Sequence, residues 1–343
     1  MTFDDGLLDD EVALARADVR LRALAESGAR VRREAVAAGE ALVESVERLS
    51  EVRPRAVVAA GPDSRLLRAV LEPVCPVPFV AWPGAGLPGW AGSLDLVVVL
   101  APEGSDQPTA AAVAEAVRRG CQVVVATPER SLVGEHAQGR YTTLLPTQSG
   151  DQLAIAVVVL DLLDRLHLGP QTDPGVVADA LDEVAVLCSP HRDLATNPAK
   201  LLAIGIADSN PLLWGGTVLA ARAARRIAES IRRATGRTAL AADAEQLLPV
   251  LEQTAPADVF ADPFADGGQA RRPVLVVLDD PVDDPAVVET RIRLSEAARA
   301  AGVREELVAP LASGAAAGDV ARYAAMLSTG TYAAAYLQLG LQD

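Results

Sequence analysis

The sequence predicts an α/β protein built of two doubly wound parallel-sheet domains behind an N-terminal helical segment. Three observations carry that prediction. Apolar runs of strand length occur without polar alternation, each is followed by a stretch with helical periodicity, and the rhythm starts twice, first after Arg53 and again after Pro198. A strand covered by helices on both faces reads as a continuous apolar run, which is what a parallel sheet requires. A chain of 343 residues is long enough for two domains of this kind. The limits read from the sequence are 1–52 for the helical segment, 53–170 for the first domain and 171–343 for the second.

The elements follow in order. Leu14, Val19, Leu21, Leu24, Val31, Val36, Leu42 and Val46 recur at three- and four-residue steps, which predicts helix through the first fifty residues with these side chains on the inner face. The period then changes. Strand RAVVAAG (Arg55 to Gly61) leads to helix SRLLRAVLEPV, strand VPFVAW, a Pro/Gly-rich link, strand LDLVVVL and helix TAAAVAEAVRRG; strand CQVVVATP and a helical SLVGEHAQ come next. A helix from Gln152 to Leu168 closes the first unit, and GPQTDPG is a linker. After one more helix and the loop from Pro190 to Pro198, strand NPLLWGG ends in glycines, and a long helix from Val218 is closed by Gly236. Strand RTALAA, helix AEQLLPVLEQ, the loop APADVFADPFADGGQARR, strand PVLVVLDDP, a helix from Pro285, strand VREELVAP and a final helix complete the chain. The two units share a rhythm but no repeated sequence.

Composition narrows the function. Half of the residues are hydrophobic and 3% aromatic, which suits an aliphatic core better than a platform for stacking bases. Lys+Arg 31 against Asp+Glu 46 leaves a formal charge of −15, so the chain repels phosphate backbones and anionic lipid; nucleic acid and membrane are not expected partners. Cys75, Cys121 and Cys188 are odd in number and widely spaced, which indicates neither a disulfide framework nor a zinc site and fits a reducing cytoplasm. The acidic, amphipathic start lacks the charge pattern of a signal peptide, and no apolar run reaches membrane-spanning length. No metal or cofactor is expected.

The order of elements, together with DLVVVLAPEGSDQPTAAAVAEAVRRGCQVVVATPERSLVGEHA, resembles the sugar isomerase (SIS) domain. NPAKLLAIGIADSNPLLWGG with AARAARRIAESI resembles the second half of the bifunctional phosphoglucose/phosphomannose isomerase family, and the run Asn197 to Lys200 is the most specific of these signals. The resemblance spans Arg53 to the C-terminus. It implies aldose–ketose isomerisation of a hexose 6-phosphate by a homodimer. That chemistry needs a cradle of hydroxyls and N–H groups at a helix N-terminus for the phosphate, a carboxylate to move a proton between C1 and C2, and a His or Lys to open the ring.

Laid on this chain, the family's Ser-x-Ser-Gly-x-Thr-x-x-Thr loop falls on Ala101 to Thr109. Gly104 and Thr109 match, and Ser105 offers a hydroxyl, but both family serines are lost and Glu103 stands at the second. Glu103 and Asp106 then face the phosphate position, where like charges about 4 Å apart at an effective dielectric near 20 cost roughly 4 kcal/mol per pair. Two readings follow: acidic residues complementing a helix dipole, or a pocket for an uncharged or cationic ligand. In the preceding glycine turn, AAGPDSRLL keeps Gly61 and Ser64, and Arg65 is either a phosphate partner or a solvated first-turn residue. Ser64, Arg65, Glu103, Gly104, Ser105 and Thr109 are the candidate substrate-binding residues.

The catalytic positions are depleted. Arg233 stands near the place of the family base, AEQLLPVLE holds no histidine where the family has one, and no lysine follows the last helix. His136, His167 and His191 are expected at surfaces or helix ends, and Lys200, the only lysine, is read as structural, such as closing a helix end, with a catalytic role as the alternative. Asp279 and Asp280 are either a solvated turn opening a helix or ligands for a magnesium ion at a strand end. Ala220, Ala221, Ala224 and Ala228 form a small-residue face expected to pack a homodimer. The chain is thus read as a carbohydrate-derivative-binding homologue with degenerate catalytic residues; the alternative is an active isomerase of phosphohexoses using other residues.

Overall fold

The computed structural model describes residues 2–51, 53–255, 271–281, 283–309 and 318–341. The loop read between Ala255 and Arg272 lies, over 256–270, outside the described residues. Two compact units divide the chain. One comprises Met1–Ala25, Glu183–Ala316 and Arg322–Asp343, the other Glu26–Asp182 and Ala317–Ala321. The initial helical stretch is therefore shared out: α1 (Glu11–Ala25) belongs to the unit of the second sheet, and α2 (Ser27–Leu49) to the unit of the first.

In the first-sheet unit, five parallel strands stand in the order β2-β1-β3-β4-β5: β1 (Val57–Ala60), β2 (Phe79–Trp82), β3 (Leu96–Leu100), β4 (Gln122–Thr127) and β5 (Thr142–Pro146). Every residue of β1 and β3 is buried, as uninterrupted apolar runs require. The sequence reading missed β5. Its burial alternates residue by residue, so it carries the period of an edge strand rather than an apolar run. The helices are α3 (Ser64–Leu71), α4 (Gln107–Arg118), α5 (Leu132–His136), α6 (Gln152–Arg165) and the first part of α7 (Pro174–Leu187). One side of the sheet packs Val58, Val97, Val99, Val123 and Val125 against Ala112, Val113 and Val133 of α4 and α5.

The inner row of α2 is Ser27, Val31, Glu34, Ala38, Leu42, Ser45 and Leu49, one residue per turn. Val36 of α2 is 82% exposed and Val19 of α1 is 83% exposed, so both lie off the inner face assigned to them; spacing alone did not distinguish the two faces. Glu34 is the informative member of the row. Its buried carboxylate accepts the backbone N–H groups of Gln148 and Ser149, and Arg30, one turn earlier, pairs with Asp151 at 2.6 Å. Asp151 caps α6 by accepting from Leu153 and Ala154 N–H. Thus α2 fixes the β5–α6 connection through charges placed on its inner side.

The second sheet has the order β7-β6-β8-β9, again all parallel: β6 (Ser209–Gly215), β7 (Leu240–Ala241), β8 (Arg272–Leu278) and β9 (Glu305–Val308). Its helices are α8 (Pro198–Ile206), α9 (Val218–Thr235), α10 (Ala244–Glu252), α11 (Pro285–Ala300) and α12 (Gly318–Gly340). Gly236 closes α9 in the left-handed conformation, φ 68°, as its place after the last helical residue predicts. Leu212, Trp214, Leu275 and Val277 pack against Leu247, Leu251, Leu294 and Ala298 of α10 and α11. The alanine face expected to pair subunits is used inside the chain: Ala220, Ala224 and Ala228 are buried with Ala223, Ile227 and Ile231, and Ala221 is half-buried. Small residues there admit α9 close to its own core, where Gly330 of α12 meets Ile227.

Lys200 is fully buried. Its ammonium group donates to Asp9 Oδ1 at 2.6 Å, to the Pro190 carbonyl at 2.8 Å and to the Arg192 carbonyl at 3.0 Å, and it lies 5.6 Å from the Tyr336 ring centroid. Tyr336 in turn donates to the Cys188 carbonyl at 2.7 Å, and Asn197 caps α8 while its amide donates to the Ser189 carbonyl. Lysine therefore closes a loop from within rather than a helix end. Replacing Lys200 with Met should strip two carbonyls of their donor and cost about 2–6 kcal/mol in denaturant unfolding, at roughly 1–3 kcal/mol per unmet group. Asp9→Asn, which keeps an acceptor on a half-exposed side chain, should cost much less. Equal losses would place the weight on the ion pair instead.

A second test concerns β9. Gly205 leaves room for Glu306, whose carboxylate lies where a Cβ would stand. Burial pushes the Glu306 carboxyl above the ordinary range, and Arg304 only partly offsets it. A carboxyl raised in the folded state favours folding when protonated, and that contribution is lost as pH rises through the folded value. Glu306→Gln should therefore raise Tm at pH 7 and leave it unchanged below about pH 4. A lower Tm at pH 7 would show that the pair with Arg304 outweighs desolvation.

Candidate functional site

β1 hydrogen-bonds to both β2 and β3, so the chain reverses direction across the sheet between β1 and β3. The connections leaving these two strands open a crevice at their carboxyl ends, where ligands of open α/β sheets bind. Gly61 begins one connection with φ 90°, and Gly104 sits in the other with φ 67°. Both glycines are needed for more than φ. A Cβ on Gly104 would fall 2.4 Å from Ser131 Cβ and 2.8 Å from Thr127 Oγ1, and one on Gly61 would meet Thr109 Oγ1 at 3.1 Å. The two connections therefore touch through Gly61 and Thr109.

α4 begins two residues earlier than the sequence reading placed it, because Asp106 caps it and Pro108 stands in its first turn. Asp106 Oδ2 accepts the Thr109 N–H at 2.8 Å and the Thr109 hydroxyl at 2.5 Å. The helix start that would cradle a phosphate thus already carries a carboxylate, and Thr109 spends its hydroxyl on it. Gly104 is locked from the other side, its carbonyl accepting the Val133 N–H at 3.0 Å. Glu103 and Ser105 are exposed at the tip of the connection.

Across the crevice, Ser64 opens α3 and is 1% exposed, and its hydroxyl has no hydrogen-bond partner among the described residues. Asp63 before it accepts from the Gln152 side chain at 2.6 Å, which ties this connection to the start of α6. Arg65 is exposed. The six candidate residues therefore divide into a buried set, Ser64, Gly104 and Thr109, and an exposed set, Arg65, Glu103 and Ser105. Sequence reasoning passed over Gln152 and Ser131. The serine had a legible signal, since Ser131 caps α5; the glutamine acts across the fold and had none.

The equivalent crevice of the second sheet, between β6 and β8, is filled by its own side chains. Thr217 caps α9 and donates to Asp280 Oδ2 at 2.5 Å; Asp280 also pairs with Arg322 at 3.0 Å, and Asp279 with Arg291 at 2.7 Å. A Cβ on Gly216 would fall 2.2 Å from Val287 Cγ1, so α11 is packed against this turn. Asp279 and Asp280 are thus ion-paired rather than a solvated turn, and no group of three or more metal-ligating side chains occurs among the described residues. Pro285 starts α11 as the sequence predicts.

His136 ends α5, His167 follows α6 at φ 58°, His191 lies in the loop before α8, and all three are exposed. Arg233, near the expected place of a base, is exposed and pairs with Glu229 at 2.6 Å. The cysteines are free thiols, and burial pushes Cys188 up to about 12, which leaves it unreactive at neutral pH. A groove of about 580 Å³ runs outside the crevice along α4 and α5, lined by Ala111, Ala114, Leu132 and His136. Another of about 590 Å³ separates α10 from α11.

No family model matches the chain, and no curated protein matches it in sequence. Solved structures do match in fold. Tagatose-6-phosphate ketose/aldose isomerase from Escherichia coli aligns with a TM-score of 0.65 at 14% identity, over 94% of this chain and 93% of that one. The C-terminal domain of glucosamine-fructose-6-phosphate aminotransferase from Francisella tularensis aligns at 0.57 and 13%, over 92% of this chain and 94% of that one. A hypothetical protein from Thermus thermophilus aligns at 0.63 and 13%, over 98% and 91%. At these identities the likeness is one of fold: the chain has the two-sheet α/β architecture on which sugar phosphate isomerases are built.

Proposed function

We propose that this protein is a SIS-type carbohydrate-derivative-binding protein, related to the glucose/mannose 6-phosphate isomerases, that binds a sugar derivative in the β1–β3 crevice without isomerising it. One observation carries the reading: the helix start that would hold a substrate phosphate is capped by Asp106, which consumes Thr109. Supporting it, the crevice residues Ser64, Arg65, Glu103, Gly104, Ser105 and Thr109 include neither a His nor a Lys, the only lysine is buried in a loop contact, and all three histidines are exposed elsewhere. The shared fold with a ketose/aldose isomerase favours the second reading, an active phosphohexose isomerase using other residues. In the first reading the protein acts as a cytoplasmic homodimer that senses a sugar metabolite or supports a partner enzyme.

The purified protein should form no fructose 6-phosphate from glucose or mannose 6-phosphate in a coupled assay. Turnover above about 1 per second, within the ordinary enzyme range, and abolished by Ser64→Ala would establish the isomerase. In a thermal-shift panel of free sugars, amino sugars and sugar phosphates, at least one ligand should stabilise the protein, by about 2.7 kcal/mol at 100 times its Kd, and Ser64→Ala should remove the effect.

A further inference from the structure

The groove of about 580 Å³ along α4 and α5 is lined by a helical stripe whose positions are symmetric about its middle. Gln107, Ala111, Ala114 and Arg118 recur at four- and three-residue steps on one face of α4, with Ala110 and Glu115 beside them, and Leu132 and His136 of α5 form the adjoining wall. Measured from the point midway between Ala111 and Ala114, Gln107 and Arg118 stand equally far along the helix in opposite directions. Alanine at the centre lets a second helix approach closely. The two ends differ in charge. Before the first turn Glu103 and Asp106 are exposed, and neither has a cationic partner among the described residues. The last turn ends in Arg118, whose side chain is 72% exposed. Its contact with Glu115 is 3.5 Å long, and that carboxylate is held more closely by Arg119, so the Arg118 guanidinium keeps most of its donors for another partner.

From this pattern we propose that the groove seats a second copy of this chain, the two α4 helices packing antiparallel across a two-fold axis that passes between Ala111 and Ala114. A two-fold contact is self-complementary, so every pairing occurs twice. Ala111 then meets the partner's Ala114, and Arg118 lies level with the partner's Gln107, beside the connection that carries the partner's Glu103 and the partner's Asp106. Opposite charges meet at both ends of the pair, whereas a parallel arrangement would set like charges together. The proposal rests on the homodimer reading above and supplies its face, in place of the α9 alanines that the fold uses internally. It also brings a cation of one subunit to the connection after β3 of the other, which holds three of the candidate binding residues, Glu103, Gly104 and Ser105.

The experiment is sedimentation velocity of the full chain over a range of concentrations, at low and high salt. A dimer should form and should weaken as salt rises, because the paired charges lie at the surface. Ala111→Glu places a carboxylate at the centre of the contact and should weaken the dimer at least tenfold. Arg118→Glu should weaken it by a similar factor, and adding Glu103→Arg should recover most of that loss. Val36→Glu, on the exposed side of α2, is the control and should leave the dimer intact. Circular dichroism establishes that each variant is folded; if Ala111→Glu does not fold, Arg118→Glu and its recovery decide. Survival of the dimer in either folded single variant of α4, its loss in Val36→Glu, or no recovery in the double variant overturns the proposed face and leaves the homodimer reading standing. A monomer at every concentration overturns both.

Discussion

The ammonium group of Lys200 is the constraint around which the second-sheet unit is arranged. A buried cation has to find acceptors, and this one finds Asp9 from the N-terminal turn and two carbonyls of the loop before α8, beside the ring of Tyr336 on α12. Three stretches far apart in the chain are thereby fixed to one atom. The same loop is bound again by Asn197 and Tyr336, so its carbonyls are satisfied from inside the fold rather than by water. The lysine's place in a run that resembles an isomerase family reflects, in this chain, the need to hold a loop.

Carboxylates play the complementary part elsewhere. Glu34 meets the backbone N–H groups of the β5–α6 connection, Asp106 meets those of α4, and Asp280 meets Thr217 and Arg322 at the end of β8. Asp95, fully buried at the start of β3, is held by Arg55 and by the Gly92 N–H. An acidic chain of this kind spends part of its charge on its own helix starts and turns, where N–H groups would otherwise be open to an anion. In the second sheet the acidic side chains at the strand ends are tied up in ion pairs, whereas at the first the buried Ser64 hydroxyl has no hydrogen-bond partner among the described residues.

The polar groups at the ends of β1 and β3 differ from those that isomerisation of a phosphosugar demands. Proton transfer between adjacent carbons needs a base within hydrogen-bond reach and a partner to open the ring. Asp63 and Asp106 are the carboxylates at hand, and each is already engaged as a structural acceptor.

The sequence by itself determined the order of strands and helices, because those depend on side-chain period and on caps acting within three or four residues: Pro285 at the start of α11 and Gly236 at the end of α9 fell where expected. It also marked the turns after β1 and β3, through Gly61 and Gly104, whose left-handed backbone only glycine adopts readily. Tertiary structure decided the rest. Edge strand β5, the exposure of Val19 and Val36, and the use of the α9 alanines inside the chain depend on which neighbour covers each face, and period does not specify the neighbour. Which carboxylate meets which donor is likewise set by packing: Lys200 and Asp9 are 191 residues apart, Asp63 and Gln152 are 89 apart, and no local rule joins residues over such distances.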